Sequence, residues 1–328
     1  MSSRENTTKA SYPSPLDAIL LAGTDSNPRR LIQGRNKAFL ELDGKALVRH
    51  VVEALVESDS IGQIFVVGPK QQLTEVLAGL PPAVVVVEQE GQMLLNTWAA
   101  IHAAEERSIA RDGALDLDRP MLFISCDLPL ISAAAVDDFV DRCAREDDPV
   151  TDKYAILAGV AVETSLRHYY PENGGDGIVR PYVHFKNCLA RLANIYVGRP
   201  RKLSHQDFLQ TGFSYRKAKD WHNVFLLMWS FFKQTGGWKA AWLTVRYQAT
   251  LKSAGRWDWL YRRLRRNNDM EVVEAVVGTV LGGRVRMVVT PYGGLSLDVD
   301  EEEDYRVLRE NLSRWKSIDP VPIAEDQG

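Results

Sequence analysis

From Gly23 the sequence runs GTDSNPRRLIQGRNKAF, which sets Arg29, Arg30, Arg35 and Lys37 in one polar stretch between two apolar runs. Fixed cations beside a glycine that ends a strand suit a polyanion. A triphosphate carries about four negative charges, and cations with backbone amides are what phosphoryl chemistry uses. Gly23 lets the backbone turn sharply and present N–H groups to such a ligand. A second candidate is Asp127 in FISCDLPLIS, where an acid closes an apolar run just before Pro129. It reads either as a metal ligand or catalytic group, or as a turn residue. Asp298 and Asp300 form a DVD near the C-terminus. The stretch is neither a Walker loop nor a dinucleotide fingerprint, since GxxxxGK[ST] and GxGxxG are both absent. The six histidines are scattered, as expected of surface or packing residues.

These residues need elements to hold them. The segments 17–23, 64–68, 81–88 and 120–127 are short, continuous apolar runs and predict buried strands. Helical spacing follows each: at 46–58, from the second strand to about Leu80, at 93–107 and at 132–146, with Ser132 as an N-cap. Continuous rather than alternating strands, each followed by a helix, predict a three-layer α/β/α fold with a mostly parallel mixed sheet. Ligands in such sheets bind beyond the carboxyl ends of the strands, where Gly23 and Asp127 lie. Further on, YAILAGVAVE predicts a strand, ENGGDG a turn and RPYVHFKNCLARLANIYVGRP one or two strands. Helices are expected at 221–232, 237–250 and 257–268, then strand, turn, strand and helix from 284 to 311. The expected organisation is a core over 16–200, a basic, Trp-rich helical insertion over 201–268, a return to the core over 269–312, and flexible tails at 1–15 and 316–328.

The 328 residues allow one large domain or two ordinary ones. Cys126, Cys143 and Cys188 have neither metal spacing nor even pairing and fit a reducing compartment. With no signal-peptide core and no apolar run near the ~20 residues of a membrane span, the expected location is cytoplasmic. The net charge of −3 hides a division. Between Arg199 and Arg266 stand fifteen Lys and Arg against three acids, and six of the eight tryptophans. The rest of the chain is acidic, so the two parts suit different partners.

In order along the chain, LLAG with NKAFLELDGKALVRHVVEAL, then EGQMLLNTWAAIHAA, FISCDLPLIS and LSLDVDEEEDYRVLREN resemble the MobA-like NTP transferases, GT-A-type nucleotidyltransferases. The likeness covers 16–146 and 291–311. Thr24 replaces the family's second glycine, TDSNPRR is longer than its compact loop, and DEEED lacks its Thr-Pro.

The resemblance implies Mg²⁺-dependent transfer of a nucleoside monophosphate to an anionic phosphorylated acceptor, with pyrophosphate leaving. Lys37 with Arg29 or Arg30 would neutralise the phosphates. Leu21, Ala22, Gly23, Thr24 and Arg35 would line the nucleotide, with Glu88, Gln89, Gly91 and Asn96 beside the base. Asp127 and Asp298, or Asp300 in its place, would hold Mg²⁺. Arg180, Lys186, Arg191 and Asn194 would face the acceptor. CTP is mildly preferred, because relatives that make small-molecule and lipid precursors are frequently cytidylyltransferases. The alternatives are a guanylyltransferase using GTP on the same scaffold, a GT-A glycosyltransferase reading DVD as its metal motif, and a non-catalytic membrane-associated scaffold. The basic aromatic block lies outside the family pattern. It reads as a helical cap on the core or as a peripheral contact, through 215–266, with the anionic inner membrane face. Nucleic acid is not expected, because the rest of the chain is acidic and no base-stacking module is recognisable.

Overall fold

The structure, a computed structural model, describes residues 11–23, 31–147, 151–172, 174–204 and 237–321. Thr24, Arg29, Arg30, the helix expected at 221–232 and the outer parts of both tails lie outside them. The chain opens with β1 (Leu16–Leu21) and two short hairpins, β2 (Leu31–Ile32) with β3 (Arg35–Asn36) and β4 (Glu41–Leu42) with β5 (Lys45–Ala46). Next come α1 (Leu47–Val56), β6 (Ile61–Gly68), α2 (Lys70–Val76), β7 (Val84–Glu88), α3 (Met93–Asp112), β8 (Met121–Ser125) and α4 (Ala133–Asp147). The second part holds β9 (Ile156–Val162), α5 (Glu163–Leu166), β10 (Val183–His184), β11 (Leu189–Gly198), α6 (Gly237–Ser253), α7 (Asp258–Arg265), α8 (Met270–Leu281), β12 (Val285–Thr290) and α9 (Glu302–Lys316).

One sheet carries the order β12-β9-β11-β8-β1-β6-β7, with β10 paired to β11. β7, β6, β1 and β8 are mutually parallel, β12 is parallel to β9, and β11 runs against β8, β9 and β10. The strand runs are continuous because both faces are covered. Ala18, Leu20, Ile64, Val66, Leu122 and Ile124 pack with α1, α2 and α4. Their sequence neighbours Ile19, Phe65, Val67 and Met121 meet Ala100, Ile101 and Ala104 of α3 on the other face. Each fully buried aliphatic side chain contributes about 1.5–3 kcal/mol, so this period of two fixes the register of the central strands. The expected three-layer fold is the one observed. Ser132 does begin α4, its Oγ accepting from Ala135 N at 3.2 Å.

Three expectations need correction. In 284–311 the strand after the turn does not form. Beyond β12 the chain passes through a 3₁₀ turn (Gly293–Ser296) and reaches α9 without a sheet partner. Gly293 lies so close to Ser165 that a Cβ would meet its carbonyl oxygen at 2.2 Å, so this stretch packs on α5 rather than along a strand. Second, α8 was not foreseen, because its valines favour strand. It ends at Gly282, whose φ of +67° makes a left-handed C-cap. Third, the helices of the basic block do pack on the core, at Phe185, but not through the apolar face of Trp238, Trp242 and Val245 that helical spacing offers. Those three residues are exposed, and Ala241 and Leu243 of α6 are buried instead.

Candidate functional site

The chain moves outward from β1 to β6 and β7, then crosses back to β8 on the other flank of β1. Connections that leave in opposite directions open a crevice beyond the carboxyl ends of the two strands. Gly23 follows β1 at this place and Asp127 follows β8.

Asn36 brings the basic stretch back to the crevice. Its Nδ2 donates to Ala22 O at 3.1 Å, and its Oδ1 accepts from Ala38 N at 3.0 Å, capping the 3₁₀ turn Lys37–Phe39. Tied to the end of β1, this turn aims Lys37 inward. The Lys37 ammonium donates to Asp300 Oδ1 at 2.9 Å and to Asp127 Oδ2 at 3.5 Å. Burial pulls its pKa down, but Asp127 and Asp300 outweigh burial and hold it above the ordinary lysine value.

Asp127, Asp298 and Asp300 converge, each offering a carboxylate oxygen within 4.8 Å of the others. Among the described residues this is the one such group. Ser125 Oγ donates to Asp127 Oδ1, and Val299 N donates to Asp127 O at 3.2 Å, which joins the end of β8 to the DVD segment. Asp304 shapes that segment. Its Oδ2 accepts from Asp300 N at 3.0 Å and Glu301 N at 2.8 Å, in a capping box that starts α9. Burial raises the Asp298 pKa, and the neighbouring Asp127 and Asp300 charges raise it further, against the pull of Arg191 and Arg180. An all-carboxylate donor set suits a hard, oxygen-seeking cation such as Mg²⁺.

Two of the residues expected to face an acceptor turn onto this cluster instead. Arg191 gives Nη2 to Asp298 Oδ1 at 3.1 Å and Nε to Ser296 O at 3.0 Å. Arg180 gives Nη2 to Asp298 O at 2.6 Å and pairs with Asp304 at 2.8 Å. Four gathered carboxylates require buried counter-charge, and these guanidinium groups supply it. Lys186 pairs at 3.7 Å with Asp269, before α8, and so belongs to the helical insertion side. Asn194 is buried within β11.

On the other side of Gly23 lies Asn96, buried in α3. Its Oδ1 accepts from Glu90 N at 2.6 Å. A Cβ on Gly23 would come within 2.6 Å of Asn96 Nδ2 and 3.4 Å of Gln89 Oε1, so the glycine is required for this close approach. Glu88 ends β7 exposed and Gly91 turns with φ +85°. Leu21 and Ala22 belong to the strand end, and Arg35 is exposed on its hairpin. The residues missed from sequence are Asn36, Ser125 and Asp304. The last had a signal in the ExxD spacing of a capping box.

Residues 18–185 match the MobA-like NTP transferase domain. Bifunctional protein GlmU of Rhizorhabdus wittichii is 25% identical over 174 residues, covering 53% of this chain and 35% of that relative. The chain thus spans about a third of that relative's length. A solved structure of a hypothetical transferase from Thermus thermophilus shares the fold, with a TM-score of 0.51 at 20% identity over 88% of this chain and 99% of that chain.

Proposed function

The chain belongs to the MobA-like NTP transferase domain family and is a nucleotidyltransferase, and on that premise we propose that it transfers CMP from CTP to a phosphorylated small-molecule or lipid-precursor acceptor. The observation that carries the reading is the convergence of Lys37, from the 3₁₀ turn after β3, with Asp127 and Asp300 beside Asp298. In the reaction an acceptor phosphate oxygen bonds to the α-phosphorus, and the α–β P–O bond breaks with its electron pair leaving on pyrophosphate. The acceptor oxygen is already anionic, so no general base is needed. Catalysis then rests on positioning and charge.

Asp127, Asp298 and Asp300 would hold Mg²⁺, which when bound supplies positive charge to the α-phosphate. Lys37, paired with carboxylates in the absence of nucleotide, turns its ammonium to the phosphates when they arrive. Arg29 and Arg30 are the further cations of that loop. Gly23 lets the backbone approach the nucleotide, Arg35 flanks it, and Asn96 with Gln89, Glu88 and Gly91 faces the base. Arg191 and Arg180 act as positioning residues that hold the Asp298 segment in place. Lys186 and Asn194 remain the residues offered to the acceptor.

Thermal stabilisation by each of CTP, GTP, ATP and UTP, with and without Mg²⁺, tests this. A nucleotide at 100 times its Kd adds roughly 2.7 kcal/mol. The expected result is stabilisation by CTP with Mg²⁺ that Asp127→Asn abolishes. Selective stabilisation by GTP would move the reading to a guanylyltransferase, and no stabilisation by any nucleotide would overturn it.

A further inference from the structure

The exposed aromatic face of the helical insertion has no part in the site above. On α6, Trp238 and Trp242 are 59% and 63% exposed, with Val245 one turn on. Trp257, before α7, and Trp259 within it are 58% and 71% exposed. Tryptophans of this exposure do not pack in a core. Between Gly237 and Arg266 they are accompanied by eight Lys and Arg against a single acid, Asp258.

The opposite faces of these helices are firmly seated. Tyr261 OH meets His184 Nδ1 at 3.0 Å, and Arg265 Nε donates to Phe185 O at 2.6 Å. Tyr247 of α6 packs edge-on against Phe185. Asn268 Nδ2 donates to His184 O at 3.0 Å and to Thr250 Oγ1 at 3.2 Å. Both helices therefore dock on the β10 strand and turn their tryptophans away from the sheet. Arg262, Arg263 and Arg266 are exposed on the same outer side of the chain as Trp259. Arg262 is partly matched by Asp258.

We propose that α6 and α7 form a docking surface for an anionic lipid bilayer, on which the protein lies without crossing it. Indole rings seek the interface between headgroups and acyl chains, and nearby basic side chains are drawn to anionic headgroups. The charge division selects this occupant, because the acidic remainder of the chain is repelled by the same surface and leaves the basic face as the side that docks. No described helix is long and apolar enough to span a membrane. β10 pairs with β11, which carries Arg191 to Asp298, so one hairpin joins the docking surface to the carboxylate cluster.

Sedimentation of the full chain with phosphatidylcholine vesicles, with and without phosphatidylglycerol, is the test. Binding is expected only to the anionic vesicles and should weaken with salt. Each basic residue at such a surface contributes about fivefold in partition, so R262E/R263E/R266E should lose roughly a hundredfold or more. W242A/W259A should also lose binding, and quenching of tryptophan fluorescence by brominated lipids should fall with it. Circular dichroism and Mg²⁺–nucleotide stabilisation of the variants, unchanged, would confirm intact folding. Three results would overturn the proposal: no binding to anionic vesicles at low salt, unchanged binding in the tryptophan variant, or tighter binding to single-stranded nucleic acid than to vesicles.

Discussion

Replacing Lys37 by methionine keeps the aliphatic stem and removes the ammonium that, among the described residues, faces Asp127 and Asp300. The side chains of Lys37, Asp127 and Asp300 are 12%, 11% and 26% exposed. Removing one partner of a buried pair costs about 3–5 kcal/mol, because the other charge stays buried and unmatched. The partial exposure of Asp300 lets water take up some of that charge, which puts the expected loss near the lower end, about 3 kcal/mol. In a chain of this size the melting temperature should fall by on the order of 5 °C. The distinguishing outcome is rescue. Carboxylates freed of their ammonium attract a divalent cation more strongly, and Mg²⁺ at 100 times its Kd restores roughly 2.7 kcal/mol. Wild-type protein, whose ammonium competes for the same oxygens, should gain less. Scanning calorimetry of both proteins with Mg²⁺, against a monovalent salt matched in ionic strength, reads the difference. Turnover should remain down by about 10²–10³-fold even in Mg²⁺, since the phosphates have lost their cation. Equal stability of the variant, or equal Mg²⁺ gains in the two proteins, would refute the assignment of Lys37 as counter-ion to the cluster.

Gly23→Ala should cost about 1–3 kcal/mol, because the new methyl group meets an Asn96 amide anchored to Glu90 N. The double variant with Asn96→Ala should recover part of that loss, read as a coupling in urea unfolding. Arg191→Ala should cost about 3–5 kcal/mol by leaving Asp298 without its guanidinium, and Arg191→Lys should restore only part, since one amine cannot serve both Asp298 Oδ1 and Ser296 O. His50 gives a pH signature away from the site. Its Nε2 contacts Leu42 O at 2.8 Å and its Nδ1 faces the Lys316 ammonium at 3.1 Å, so the neutral ring donates from Nε2 and accepts at Nδ1. Burial lowers its pKa, and Lys316 and Lys45 lower it further, against Leu42 O and Glu53. The unfolded chain then binds a proton that the folded chain refuses. Stability should fall as pH drops below the ordinary histidine value of about 6.5 and level off below the folded pKa. His50→Gln should flatten that slope in denaturant titrations across the window.

The central strands were legible in the sequence because burial on both faces leaves the middle of each run continuously apolar. The helix at 132–146 was legible because Ser132 marks its start. α8 was not, since a valine-rich helix and a buried strand share a composition; the Gly282 cap and the packing of Glu274 against Met287 N and Arg286 distinguish them in the structure. The DVD segment looked like a strand because its residues alternate, but Asp304 takes its backbone amides and Gly293 holds the preceding turn on α5. Lys37, Asp127 and Asp298 could be picked out singly. Their pairing could not, because each partner comes from a different part of the chain.

That separation explains why a lysine stands at position 37. Carboxylates crowded at the end of β8 and before α9 are unstable alone. Their positive partners come from the 3₁₀ turn after β3 through Lys37, the segment before β10 through Arg180, and β11 through Arg191. The two arginines are each tied to backbone carbonyls as well as to acids, Arg180 to Asp298 O and Arg191 to Ser296 O, and so are fixed. Among the described residues Lys37 has only carboxylate partners, at 2.9 and 3.5 Å, and it has a single flexible stem. It is therefore the cation that can leave when phosphates offer a better match. On the proposed function, the cluster is balanced in the free protein by a charge it can exchange, and the nucleotide with its metal would be the ligand that makes the exchange favourable.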